Sequence, residues 1–269
     1  GSISKPITAL GVLLLVEQGL VDLDTDVNQY LKKWQVPENE YTKDQKVTLR
    51  LILSHNAGLT VHGFPGYEIG QQIPSTVQIL QGVKPIVNTD PVVVDVTPGS
   101  LVRYSGGGTT IAQLLIEDVT GEPFELWMQK NVLDKLEMRQ SSFDQQLTAQ
   151  QRGLAASGHN ADYKVVPGGW HVYPEMAAAG LWTTPTDLAK AIITIQNSFN
   201  GSDTKFLSQD TAREMISLQN ESFGLGPMVD IDNKTLVFKH GGVDEGFVAY
   251  CYGLANQNSG VVVMTNSIT

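Results

Sequence analysis

The sequence holds a single cysteine, Cys251, so no disulfide can form within the chain. It sits in an apolar, strand-like stretch and reads as a buried structural thiol. No Cys and His residues cluster with metal-ligand spacing, and the pair His55 and His62, in a loop-like stretch, makes a poor metal site, so neither metal nor cofactor is expected. Charge is sparse and one-sided. Lysine and arginine total 18 against 28 aspartates and glutamates, a formal net charge of −10. That excess argues against nucleic acid as a partner and against charge-driven binding to an anionic membrane. No apolar run is long enough to span a bilayer, since the one from Pro6 to Val16 is followed at once by Glu17 and Gln18. Internal repeats and low-complexity tracts are absent as well. No secretory leader stands at the start, and the chain opens inside a helix. It reads as a piece processed or excised from a longer protein.

What is present is an ordinary globular balance. The 269 residues are 41% hydrophobic, enough for a sizeable core and for one domain over 1–269. A mostly apolar helix is expected over Pro6–Gln18, ending near Gly19. Asp26 is placed to cap a short helix over Val27–Leu31, and Thr48 another that runs to Ser54. A long loop rich in Gly and Pro fills roughly Ala57–Pro74, and loops of that length tend to be functional or disordered. Ser75–Gln81 reads as a helical turn or two. Pro91–Val96 reads as a short strand or a buried linker. Amphipathic helices follow over Thr109–Thr120, closed by Gly121, and over Pro123–Leu133. Thr184 opens a further helix over Leu188–Gln196, with Pro185 near its first turn.

The last third changes character. Thr235–Lys239, Gly246–Leu254 and Gly260–Thr265 read as strands, with turn signals at Asp232-Asn233 and Asn256–Gly260. The expected class is α+β. An antiparallel sheet over roughly 235–269 is flanked by helices, with a helical subdomain over roughly 20–180.

Ser2 and Lys5 stand three residues apart, on one face if Ser2 opens a helix. A serine hydroxyl attacks carbonyls only when a base takes its proton, and a lysine whose pKa falls in a buried pocket is such a base. A helix N-terminus adds N–H donors for an oxyanion. The plainer alternative is that Ser2 caps the helix and Lys5 is solvated. Three other segments stand out. Tyr104-Ser105-Gly106 lies between a Pro-Gly turn and a helix start, where a phenol serves as a proton shuttle or simply packs. His240-Gly241-Gly242 follows a strand, and its glycines allow close approach of a ligand or simply a strand-end turn. Leu53–Leu59, with Ser54, His55 and Asn56, either adds to the site or closes a helix.

These segments occur in the order found in the serine β-lactamase and penicillin-binding-protein superfamily, and the chain resembles its class C-like branch over essentially its whole length. That branch includes class C β-lactamases, D-Ala-D-Ala carboxypeptidases, D-aminopeptidases and family VIII esterases. Ala178-Ala179-Gly180-Leu181 with Thr184–Leu188 completes the set. The resemblance implies a β-lactamase/transpeptidase-like fold, here truncated at both ends. It also implies Ser2 as acylated nucleophile, Lys5 as proton acceptor and Tyr104 as general base or acid. His240 takes the place of a family lysine, and the N–H groups of Ser2 and Val243 form the oxyanion hole, with Gly106, Gly241 and Gly242 in the substrate-binding region.

Two departures bear on substrate. Gly106 stands where the family usually has Asn, and His240-Gly241 stands where it has Lys-Thr. The expectation is a serine hydrolase acting on ester, amide or D-amino acid peptide bonds of a small molecule or short peptide, with weak or no penicillin hydrolysis. The alternative is a non-catalytic module that binds peptidoglycan or protein. By the resemblance the setting is periplasmic or secreted, and a partner chain or a cleaved, still-bound segment is expected to complete the sheet. Asn200, Asn220 and Asn233 open short glycosylation sequons of low specificity.

Overall fold

A computed structural model describes residues 1–232 and 234–268. The expected turn residue and sequon asparagine Asn233 therefore lies outside the described residues. Helix α1 (Ser4–Glu17) is the spine of the molecule, with Leu10, Val12, Leu13 and Leu15 all fully buried. A helix apolar all round is stable only inside a core. It starts two residues earlier than expected, and neither Ser2 nor Ile3 caps it by a side-chain hydrogen bond.

A one-turn 3₁₀ helix (Val27–Gln29) follows, with Asp26 accepting from the Asn28 N–H as its spacing predicts. Helix α2 (Leu49–Leu53) is capped by Thr48, and α3 (Thr76–Gln81) by a reciprocal capping box of Ser75 and Gln78. Pro91–Val96 forms no strand; Val94 makes a single bridge to Leu59, so this is a buried linker. Helix α4 (Gly106–Thr120) begins three residues earlier than its apolar pattern suggests, because Ser105 Oγ accepts from the Gly108 N–H. Helix α5 (Phe124–Met128) continues as a wider π turn over Gln129–Leu133. Helices α6 (Ala149–Leu154), α7 (Met176–Ala179), α8 (Pro185–Asn200) and α9 (Gln209–Met215) follow.

Four antiparallel strands form one sheet in chain order: β1 (Met228–Asp232), β2 (Thr235–Asp244), β3 (Phe247–Leu254) and β4 (Ser259–Thr265). Strand β1 is not evident from the sequence: Asp230 and Asp232 break its apolar character, as suits an edge strand with one side in water. Strand β2 was expected to end at Lys239 but runs on through His240-Gly241-Gly242 to Asp244, so these residues are strand interior rather than a strand-end turn. The helix expected over Leu188–Gln196 is present and longer at both ends. Helix α8 lays Leu188, Ala191, Ile192 and Ile195 towards the core and packs on β3 and β4. Among the described residues no strand pairs with the outer edge of β4, where Val261 and Val263 are half exposed. No helix among the described residues is long and apolar enough to cross a membrane.

Leu10 has no exposed surface, and cutting it back leaves a cavity the helices around α1 cannot close. Leu10→Ala is expected to cost about 3 kcal/mol, read as a lower midpoint in urea denaturation at unchanged slope.

Candidate active site

Ser2 and Lys5 stand at the start of α1, where the Lys5 N–H donates to the Ser2 carbonyl and sets the first turn. Lys5 Nζ lies 2.9 Å from Ser2 Oγ and 2.9 Å from the Ala178 carbonyl oxygen. The Lys5 side chain is buried, 3% exposed. Burial, partly countered by the Asp244 carboxylate, lowers its pKa to about 7. Lys5 is therefore not a solvated first-turn residue. The Ala178-Ala179-Gly180-Leu181 segment explains itself here. Thr8 Oγ1 donates to the Ala177 carbonyl at 3.0 Å, and the Leu181 N–H donates to Ser4 Oγ at 3.0 Å. These bonds lock α7 against α1 and aim the Ala178 carbonyl at the amine.

Tyr104 stacks over this pair. Lys5 Nζ sits 4.9 Å from the centroid of its ring. Burial raises the phenol to about pH 12, with a hydrogen bond to Ser2 pulling the other way. At neutral pH Tyr104 thus keeps its proton. From beneath, His55 supports the ring at 4.1 Å between centroids, and Phe223 packs edge-on against His55 at 4.7 Å. The His55 Nδ1 accepts from the Ser105 N–H at 3.1 Å, so its proton is on Nε2. Burial holds His55 well below its ordinary pKa, hence neutral.

The third wall is the free edge of β2. Strand β1 stops pairing at Lys239, which leaves His240–Asp244 open towards α1. Asp244 and Phe247 close a two-residue turn, so the ladder's alternation points the Val243 N–H away from β3. A Cβ added to Gly1 would fall 2.7 Å from that nitrogen. Gly242 is required by contact: a Cβ there would meet the Ser2 and Ile3 nitrogens at 2.9 Å.

Ser2, Lys5, Tyr104, His240, Gly241, Gly242 and Val243 all line one cavity of about 490 Å³. Gly106 does not, which corrects its placement among the substrate-contacting residues. It opens α4 under Phe64, whose ring a Cβ on Gly106 would meet at 2.9 Å. The cavity instead takes His62, Gly63 and Phe64 from the long loop, Met228 from β1, and Asp244. Sequence reasoning missed these as site residues; the length of the loop was their one signal. Among the described residues no three or more His, Cys, Asp or Glu side chains are grouped to hold a metal ion.

Residues 1–268 match the family model described as Beta-lactamase. The chain belongs to the β-lactamase family. Members of this family are serine hydrolases. The fold is similar to D-amino acid amidase from Ochrobactrum anthropi SV3 (TM-score 0.75, 20% identity, 99% of this chain and 75% of that one). It also resembles the octameric penicillin-binding protein homologue from Pyrococcus abyssi (TM-score 0.72, 22% identity, 100% and 61%). At these identities the likeness concerns the fold. Among curated proteins, Beta-lactamase-like protein 4 of Dictyostelium discoideum is 24% identical over 233 residues, 81% of this chain and 40% of that protein. Penicillin-binding protein 4* of Bacillus subtilis (strain 168) is 28% identical over 120 residues, 45% of this chain and 24% of that protein. The chain thus spans less than half the length of either curated relative.

The base beside the Ser2 hydroxyl is Lys5, whose pKa burial brings near neutrality. Lys5 gains its neutral form as pH rises through about 7, so the rate at which a fluorophosphonate labels Ser2 is expected to climb through that pH and then level off. A flat profile between pH 5 and 9 would deny Lys5 the role. Gly242→Ala is expected to push the β2 edge off α1, lowering thermal stability by ~1–3 kcal/mol and slowing the same labelling at least tenfold.

Proposed function

We propose that this chain is a serine hydrolase that works through an acyl-enzyme on Ser2. The observation that carries the reading is the 2.9 Å contact between Ser2 Oγ and a buried Lys5 amine whose pKa lies near neutrality. Lys5 Nζ takes the hydroxyl proton as Ser2 Oγ bonds to the substrate carbonyl carbon. The tetrahedral oxyanion is held by the N–H groups of Ser2 and Val243. When the carbon–leaving-group bond breaks, the Tyr104 phenol relays a proton from Lys5 to the departing oxygen or nitrogen. Water then attacks the acyl carbon by the reverse proton route, freeing the acid and Ser2.

Esters, amides and D-amino acid peptide bonds of small molecules or short peptides fit the cavity's size. Weak or no penicillin hydrolysis is the expected balance, because His240 and Gly241 offer neither a cation nor a hydroxyl to a substrate carboxylate. The alternative, a non-catalytic binding module, is favoured by Gly106 in place of the family Asn, but it needs no base beside its serine. For location we propose a periplasmic or secreted setting, on the family resemblance. For the open edge of β4 we propose pairing with a strand from a partner chain or from a bound segment of a longer polypeptide, supported by the place of β4 at the end of the strand order, with no further strand beside it among the described residues.

The test is intact-protein mass after incubation with a fluorophosphonate and, separately, a fluorescent penicillin. One fluorophosphonate adduct is expected, absent in Ser2→Ala and formed about 10³-fold more slowly in Lys5→Ala. A folded protein that takes neither probe overturns the hydrolase reading and leaves the binding module.

A further inference from the structure

His62 lies on the long loop, open to solvent, and lines the Ser2 cavity. Its ring meets the Tyr104 ring at 4.9 Å between centroids, tilted by 43°. With His55 at 4.1 Å, Tyr104 is touched by two imidazoles.

The loop is built to put His62 there. The first N–H groups of a helix have no partners within it. In α4 two of them are taken by loop carbonyls. The Gly106 N–H donates to the His62 carbonyl and the Gly107 N–H to the Val61 carbonyl, both at 3.0 Å. Ser105 Oγ donates to the Thr60 carbonyl at 2.7 Å. Three successive carbonyls thus turn towards one helix start, and Val61 between them takes a φ of 62°. For a β-branched residue that is an outlier, and it persists only where the surrounding contacts over-determine it. Gly106 belongs to the same device. A Cβ there would fall 3.1 Å from the His62 carbonyl oxygen and 2.9 Å from the Phe64 ring. Glycine lets the loop lie against α4, and a longer side chain would lift His62 away.

We propose that His62 is a positioning residue, whose ring contact holds the Tyr104 ring so that its phenol stays on Ser2. This rests on the hydrolase reading above and adds to it a residue that acts through Tyr104. The effect is selective by leaving group. Tyr104 hands a proton to the departing atom, so a loosened phenol matters only where that atom needs the proton. An alkoxide needs it, whereas p-nitrophenolate departs without one.

The test compares ethyl butyrate with p-nitrophenyl butyrate, which form the same acyl-enzyme. The proteins are the unsubstituted chain, His62→Ala, His62→Phe and His62→Gln. All four keep the backbone bond from Gly106 to residue 62. For both esters kcat/KM covers the steps up to departure of the leaving group and leaves out hydrolysis of the shared acyl-enzyme. In His62→Ala it is expected to fall about tenfold for the ethyl ester and by no more than about twofold for the p-nitrophenyl ester. His62→Phe keeps a ring and is expected to restore the ethyl ester, while His62→Gln is not. Equal losses for the two esters, or rescue by Gln and not by Phe, overturns the proposal.

A second reading needs no turnover. Flips of the Tyr104 ring are followed by NMR on ring-labelled protein, with Tyr104→Phe to assign the signals. In His62→Ala they are expected to speed up by as much as about tenfold, the worth of one aromatic contact, and in His62→Phe to return towards the original rate. An unchanged flip rate in His62→Ala overturns the proposal. If the unsubstituted protein turns over neither ester, the hydrolase reading fails, and the flip rate alone decides whether His62 holds the ring.

Discussion

Burying one lysine amine is the constraint on which the rest of this structure depends. An ammonium in an apolar interior is costly unless it is paired or gives up its proton. Lys5 meets the demand both ways. Its pKa falls to about 7, and its Nζ is met by Ser2 Oγ and the Ala178 carbonyl. That arrangement holds only if α7 stays where it is. The Thr8 and Ser4 hydroxyls, on the same face of α1, hold it there. The chemistry of the first turn is thus tied to a segment more than a hundred and seventy residues away in the chain.

The same economy governs the walls. Small residues stand where two backbones must meet: Gly242 lets the β2 edge reach the first turn of α1, and Gly107 lets the first turn of α4 sit on the Thr60 carbonyl and Val92. Ser105 then caps α4 and offers its own N–H to His55, which carries the Tyr104 ring. Each contact that shapes the pocket also closes a helix end or a strand edge, so stability and site geometry are one set of interactions.

Burial governs the electrostatics of the site. It keeps His55 and His240 neutral and Tyr104 protonated, and brings Lys5 down to a pKa of about 7.

Much of this was legible beforehand. Local signals are short-range, so the caps at Asp26, Thr48 and Thr184 were readable from a few residues each, as was the spacing of Ser2 and Lys5. Strand β1 was not, because an edge strand carries half its pattern as polar residues. The extension of β2 through two glycines was not either, because glycine reads as a turn unless a packing partner explains it. The sequence by itself determined the candidate residues for the chemistry and most of the order of the elements that carry them, since those depend on residue type and near neighbours. The tertiary structure alone decided that Gly106 lies under Phe64 outside the cavity, that Ala178 supplies a carbonyl to Lys5, and that His240 is buried in the cavity wall with its Nδ1 on the Gly241 carbonyl. Each of these depends on groups brought together from distant parts of the chain, and no local pattern records which atoms will meet once the core has closed.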